Sequence, residues 1–540
     1  MADDATTTGL GETEDPGATP TAERPTRRLA RTTAIFSLAT GLSRILGLVR
    51  EIVAKSYFGV TGPVNAFEMA FLVPNTIRAL VADAALSSAF VPVFSDLIEK
   101  GERKRAWRVA SSLFWLTLLG LGGVTALFIV VSPWVMPLFY PRDHDLLVGL
   151  SQVLFPIVAL LGVSGIVVGI LNTYDEFSIP ALTPVAWNLV IIGGLVLGIP
   201  HAQGTDHKLY VYAVAILAGT FVQVLLPIPW LRGKDGRLQM VIDWRDPAVR
   251  QVFRLMLPVT LGLGLININA LIDGTIGSWL VSSNAPASIT AAFRVYMLPQ
   301  GMFSVAVATV LFPSLARFAS RGDLAGFRDT TALGLRQISF LLVPASVVSA
   351  VLAEPIIRLI YQRNAFTPSQ TPVVAACLAA FSAGLTFNGT MLMLNRAFFS
   401  LQENWVPTVV ALANLIVNGV LDVAFSPLGI WGIPLATSVV NLAGTVALVV
   451  LLRRRLGRLE LSEVMRSFGR VAVASAFAGA LAFAVWWPLD DAVGRSFGGQ
   501  IVSLLPALGA ATAGYLIACR ALGVREMQAL LSLRSRVRRG

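Results

Sequence analysis

Polar residues arrive in short bursts, and between them the chain runs apolar for about twenty residues or more at a time. The pattern recurs fourteen times, over 32–58, 63–95, 107–139, 146–173, 180–199, 208–231, 247–281, 287–318, 331–360, 370–400, 405–425, 430–452, 467–488 and 498–520. A helix rising ~1.5 Å per residue needs roughly 20 apolar residues to cross a hydrocarbon core of ~30 Å. Each stretch therefore predicts a membrane-spanning helix. Gly and Pro inside several of them do not weigh against this, because such helices tolerate both. The expected fold class is an all-α polytopic membrane protein with fourteen transmembrane helices.

Composition agrees. Of the 540 residues only 14% are charged, against 55% hydrophobic, where a soluble domain carries about 25% charged residues to cover its surface. A soluble enzyme, a disordered scaffold and a nucleic-acid-binding domain are excluded, so the net charge of +11 describes topology and no nucleic-acid partner is expected. With the N-terminus placed in the cytoplasm, inside segments hold 32 of the 42 Lys and Arg and outside joints hold 6, among them Lys55 and Arg358. That asymmetry is what the positive-inside rule requires, and removing one helix would scramble it. Cys377 and Cys519 lie in apolar runs and the three histidines in polar joints, a pattern that offers no disulfide framework or metal cluster.

A faint repeat divides the chain. Pro74-Asn75 followed by Phe90-Val91-Pro92 is echoed by Pro299-Gln300 followed by Leu311-Phe312-Pro313, and the joint leading to Pro180 and Asn188 is echoed by the one leading to Pro407 and Asn414. Two six-helix lobes related as parallel repeats are expected, at 31–231 and 232–455, with two added helices at 456–522. Such paired lobes suit a transporter that rocks about a central cavity. Residues 1–30 read as a disordered cytoplasmic tail, poor in apolar residues. Residues 523–540 read as a basic cytoplasmic tail, whose arginines among leucines suit anionic lipid.

Charges inside the apolar stretches are the candidate functional residues, since a cation near the bilayer centre costs at least ~2.5–3.5 kcal/mol. Arg44 and Arg50 fall in the first stretch, Arg78 in the second and Arg294 in the eighth. Either they pair with the supporting acids Glu51, Glu68 and Asp83 or snorkel to the interface, or they clamp an anion between the lobes. Guanidinium forks match phosphate oxygens and would repel a cationic drug. A second group is acidic: Asn414, Asn418 and Asp422 share one helix face, with Asp273, Thr437 and Ser438 on neighbouring stretches. It reads either as an oxygen-only site for a hard ion such as Na⁺ or as a packing network around a protonated Asp. Tryptophans near the joints (Trp107, Trp134, Trp230, Trp244, Trp405 and Trp487) mostly read as an interfacial belt. The sequence carries no phosphate-binding loop of the ATPase type and no hydrolase signature in a plausible context.

The run Ser43-Arg44-Ile45-Leu46-Gly47-Leu48-Val49-Arg50-Glu51 resembles the MurJ (MviN) lipid II flippase family of the multidrug/oligosaccharidyl-lipid/polysaccharide exporter superfamily. So do Phe71-Leu72-Val73-Pro74-Asn75 with Arg78, Ser88 to Val93, Leu298 to Leu315, and Asn395 to Gln402 before Pro407. The resemblance covers roughly residues 32–455. It implies a transporter, not an enzyme, in the bacterial inner membrane, with both termini cytoplasmic. It would carry lipid II, the undecaprenyl diphosphate-linked disaccharide pentapeptide, outward by alternating access, with cell-wall synthesis proteins as partners. It further implies that Arg44, Arg50, Arg78 and Arg294 handle the headgroup, and that Asp273, Asn418, Asp422 and Thr437 stand at a sodium site. The groove between the last two helices would take the lipid tail. No cofactor is implied; Na⁺ or H⁺ coupling or the membrane potential would drive the cycle. The chain departs from many members at Asn65, Leu72 and Phe293, where those carry an acid, a lysine and an Asp. An exporter of another polyprenyl-linked glycan, or of drugs, on the same fold is the alternative.

Overall fold

The computed structural model describes residues 23–81, 84–457 and 461–527, with side chains from residue 38 apart from 80–88, 257–266 and 458–461. Asp83 and most of both expected tails lie outside the described residues. Every regular element among the described residues is helical. In chain order they are α1 (Glu23–Phe58), α2 (Val64–Val81), α3 (Ala84–Glu99), α4 (Arg103–Val135), α5 (His144–Leu154), α6 (Pro156–Thr173), α7 (Ser178–Gly198), α8 (Thr205–Leu225) and α9 (Pro247–Ile276). There follow α10 (Ala285–Pro299), α11 (Val305–Ser320), α12 (Leu324–Val351), α13 (Ala353–Tyr361), α14 (Thr371–Ser400), α15 (Trp405–Phe425), α16 (Gly432–Leu456), α17 (Leu461–Val493) and α18 (Phe497–Ala521).

Eleven passes built from these helices are long and apolar enough to cross a membrane. The expected stretches at 32–58, 63–95 and 247–281 fall outside that set, and each contains residues whose side chains are not described. The chain is a multi-pass membrane protein.

Several expected spans are built from two helices, and proline explains two of the breaks. Pro156 opens α6, where its missing N–H would be unsatisfied in any case. Pro355 cannot donate to the carbonyl of Val351, so the expected span 331–360 lapses at Leu352 and restarts as α13. Between α10 and α11 the backbone stays helical but widens into a π turn, Gln300–Ser304, directly after Pro299. A second π turn, Gly277–Val281, ends α9.

Helices α1 to α8 pack largely on one another, as do α10 to α16, with α9 set between α2, α3 and α15, while α17 and α18 pack together and against α12. The halves meet where α2 and α3 lie on α9, α2 touches α10, and α1 touches α13. At the arginine-poor end this seam is stitched by neutral hydrogen bonds. Gln370 accepts from the N–H of Val60 at 3.0 Å and donates to Thr61 at 3.0 Å. Asn284 accepts from the N–H of Gly62 at 3.0 Å, and Asn65 accepts from the N–H of Ala287 at 2.9 Å. Ala365 donates to the Ser56 carbonyl, Tyr140 to that of Ser283, and Trp279 to that of Leu138. Gly59 sits in this seam at φ +63°, where a β-carbon would stand 2.7 Å from the carbonyl oxygen of Ala365.

Three expectations about exterior residues are corrected. Lys55 and Arg358, counted with the outer joints, are 1% and 3% exposed, because each is held by carboxylates packed around it. Trp107 is buried, not interfacial: its ring stands edge-on to Phe94 and its Nε1 donates to Tyr174. The other five tryptophans of the expected belt are exposed.

Candidate functional site

The first apolar stretch carries three cations on one helix, and the structure separates their roles. Arg44 is exposed and reaches across to the other half. Its Nη1 would be 2.9 Å from a β-carbon at Gly301, so the absence of a side chain there makes room for the guanidinium beside the π turn. Arg50 is buried; its guanidinium stacks 4.6 Å from the ring centroid of Trp187 on α7, with Nη2 3.9 Å from Glu51. One turn further on, Lys55 sits 3.7 Å from Glu51 and 2.7 Å from Glu68 on α2. Arg294 on α10 is exposed and acts electrostatically on both Glu51 and Lys55.

Arg50, Lys55 and Arg294 thus set three cations against the two carboxylates Glu51 and Glu68 where α1, α2 and α10 meet, and Arg44 stands beside the π turn that follows α10. Among these described residues the cations outnumber the carboxylates by one. The exposed guanidiniums, Arg44 and Arg294, are the ones free to meet a solute, whereas Arg50 and Lys55 are committed to the protein interior. Arg78 stands apart from this group, with Nε and Nη2 donating to Asn75 Oδ1 at 3.1 and 2.9 Å.

Lys55 is the member that sequence reasoning missed. Its place three residues before the end of α1 made it look like a joint residue. The available signal was Glu51 four residues earlier, which puts the two on one face of a helix.

The acidic group assembles on α9, α15 and α16. Asn418 Nδ2 donates to Asp273 Oδ1 at 2.7 Å and to Asp422 Oδ2 at 3.0 Å, and Thr437 reaches Asp273 Oδ2 at 3.4 Å. Asn269, one turn before Asp273, donates to the same carboxylate at 3.2–3.3 Å. Asn414 and Ser438 do not join it: the first lies against Met391, and the second bonds to the carbonyls of Ala380 and Phe381.

Asp422 is fully buried and Asn418 is 1% exposed, and one oxygen of each, Asn418 Oδ1 and Asp422 Oδ1, has no hydrogen-bond partner. Two carboxyl groups gathered around one amide in low dielectric need a shared proton or a cation between them. Oxygens from three helices gather here, two of them unsatisfied, while the N–H groups of Asn418 and Asn269 point at the carboxylates. Turning the Asn418 amide, whose oxygen and nitrogen are assigned by their contacts, would present Oδ1 to both carboxylates' side in place of the N–H.

The sequence model of the family described as "Lipid II flippase MurJ" matches residues 54–488. The chain is 31% identical over 520 residues to the probable lipid II flippase MurJ of Rhizobium meliloti, covering 93% of this chain and 95% of that protein. It is 29% identical over 520 residues to the Vibrio cholerae protein of the same name, covering 92% and 97%. Among solved structures, "Lipid II flippase MurJ, inward closed conformation" superposes with a TM-score of 0.73 at 23% identity, over 91% of this chain and 99% of that one. An inward-facing multidrug resistance MATE family transporter of the MOP superfamily superposes at 0.68 and 16% identity, over 77% and 95%. With the family model spanning most of the sequence and a relative above 30% identity matched almost end to end, the chain belongs to the lipid II flippase MurJ family.

Proposed function

We propose that this protein moves lipid II from the cytoplasmic to the outer leaflet of the bacterial inner membrane, by alternating access between two six-helix lobes related as parallel repeats. The observation that carries the reading is the pair of exposed guanidiniums, Arg44 and Arg294, contributed by opposite halves to one seam with an excess of positive charge. A diphosphate is the part of such a lipid that hydrocarbon resists most, and bringing a charged group out of water without partners costs many kcal/mol. Guanidinium forks supply those partners while the tail stays in lipid, in the groove of α17 and α18.

Arg50 and Lys55 do not take the headgroup directly in this reading. They hold Glu51 and Glu68, so that the acids do not neutralise the two exposed arginines. Arg78 contacts the cargo at a later position along α2. The termini lie in the cytoplasm, where the basic C-terminal tail meets anionic lipid and cell-wall synthesis proteins receive the product on the other side. Asp273, Asn418, Asp422 and Thr437 would hold Na⁺, which supplies a charge whose binding biases one conformation of the C-terminal half. A drug exporter on the same fold is disfavoured by the sign of the seam, because an organic cation would meet like charge.

Translocation of lipid II in reconstituted vesicles tests the proposal. Arg44→Ala and Arg294→Ala should each slow it while leaving the protein folded. Rates equal to the unaltered protein's in both variants would remove the cationic seam from the mechanism, and transport of an organic cation in place of the lipid would overturn the reading.

A further inference from the structure

A second positively charged recess forms between α13 and the first turn of α18, lined by residues other than those around Arg44 and Arg294. It is a cavity of about 510 Å³ at the arginine-poor end, lined by Arg358, Arg363, Arg495, Phe497 and Gln500 among others. Its walls come from α13, the joint after it, and the N-terminus of α18.

The three arginines differ in what they have to spare. Arg358 is saturated, with Glu354 at 2.9 Å and both oxygens of Asp490 at 2.8 and 2.9 Å. Arg363 and Arg495 have no carboxylate within 4.0 Å among the described residues. Arg363 is held in place by a bond from Nη2 to the Leu359 carbonyl at 2.6 Å and by the Phe497 ring, 5.0 Å from its centroid. The first turn of α18, a 25-residue helix, adds the positive end of its dipole to the same space.

Gln500 supplies the independent observation. It is 8% exposed and lines the cavity; its Nε2 donates to the Arg495 carbonyl at 2.9 Å, and its Oε1 has no partner. Two guanidiniums without a carboxylate specify phosphate oxygens, and a ligand's O–H or N–H donor would reach the enclosed Gln500 Oε1 by turning that side chain into the recess.

We propose that this recess binds the headgroup of a glycerophospholipid whose phosphodiester carries a hydroxyl or primary ammonium, such as phosphatidylglycerol or phosphatidylethanolamine. Only the assignment of the site to the outer leaflet rests on the topology proposed above. Phosphatidylcholine offers the same phosphodiester but no donor for Gln500. A bare polyprenyl diphosphate offers phosphate without the donor. Bound there, the headgroup would join α13 to α18 and fix the added helices to the C-terminal half.

The test uses the full-length protein, freed of lipid in detergent and placed in phosphatidylcholine nanodiscs containing a minor fraction of one other lipid. Retained lipid is read by native mass spectrometry in the absence of lipid II, so the outcome is independent of translocation. Phosphatidylglycerol or phosphatidylethanolamine should be enriched over phosphatidylcholine, and an Arg363→Ala/Arg495→Ala variant should lose roughly tenfold of that enrichment. Gln500→Leu should keep phosphate binding but lose the preference over phosphatidic acid. The thermal transition of the double variant in phosphatidylcholine alone, compared with that of the unaltered protein, serves as the folding control. Enrichment unchanged in the double variant would overturn the proposal. So would displacement by inorganic phosphate at equal concentration, which marks a free-anion site, or stronger retention of polyprenyl diphosphate, which marks a product site.

Discussion

The ammonium of Lys55 lies 2.7 Å from Oε1 of Glu68, joining α1 to α2 through an ion pair whose lysine is almost wholly shielded from solvent. Glu51, 3.7 Å away on the other side, shares the same cation. The triad fixes how far the first two helices stand apart, and so where Arg44 and Arg50 project.

Removing one member should therefore be worse than removing two. Lys55→Ala leaves buried carboxylates without their cation and should cost about 3–5 kcal/mol. Lys55→Ala/Glu68→Ala removes both charges and should recover a large part of that loss, because contacting residues are not additive. Thermal unfolding of the four proteins in one detergent measures the coupling, and additive losses would mean that the pair contributes little.

Arg44 and Arg50 sit six residues apart on α1 yet should fail in different ways. Arg44→Ala should lower lipid II translocation by roughly tenfold to a hundredfold, the range for one lost charge-assisted contact, with an unchanged thermal transition. Arg50→Ala empties the space over Trp187 and frees Glu51, so its first effect should be a lower thermal transition. Parallel assays of transport and unfolding separate the two.

Sodium should stabilise the protein through Asp273 and Asp422. A ligand held only by the native state raises stability as RT ln(1 + [L]/Kd), so replacing K⁺ by Na⁺ at constant ionic strength should raise the thermal transition. Asp422→Asn should abolish that rise, since it removes a charge from the donor set while keeping its size. An equal response in the variant would move any ion effect elsewhere.

Asn65 is where many family members carry an acid, and an acid there should not suit this chain. The side chain accepts from the Ala287 N–H at the start of α10, a bond that a carboxylate would strengthen by about 0.3–1 kcal/mol. Its Nδ2, however, donates to the carbonyls of Val60 and Gly62 at 3.1 and 3.0 Å and to Asn284 at 3.4 Å. Asn65→Asp forfeits those donations and sets a negative charge among acceptors, a loss of about 1–3 kcal/mol for each acceptor left buried. The seam should loosen, which labelling of a cysteine placed in the inter-half space by an outside reagent would register as faster reaction.

Much of the helical architecture was legible in the residues, because a membrane demands apolar length. The acidic group was legible for a related reason: Asp273 and Asp422 are costly in hydrocarbon, and Asn418 shares a helix face with the second of them. What stayed hidden was set by packing. Arg44, Arg50, Arg78 and Arg294 look alike as letters, yet one meets a glycine across the seam, one an indole and one an asparagine on its own helix. Lys55 and Arg358 read as joint residues, since the carboxylates that bury them, Glu68 and Asp490, come from other helices. The recess beside Arg363 and Arg495 joins segments more than a hundred residues apart and leaves no local signature.

The π turn at Gln300–Ser304 carries one further consequence. A wide turn holds a spare residue, and each residue released from it into ordinary helix would swivel everything beyond by about 100° and advance it by about 1.5 Å. Gln300 is latched to Asn388 at 2.7 Å, while Ser304 is buried with an idle hydroxyl. The helix that frames Arg44 at Gly301 is thus wound with slack just ahead of its distal portion, Val305–Ser320.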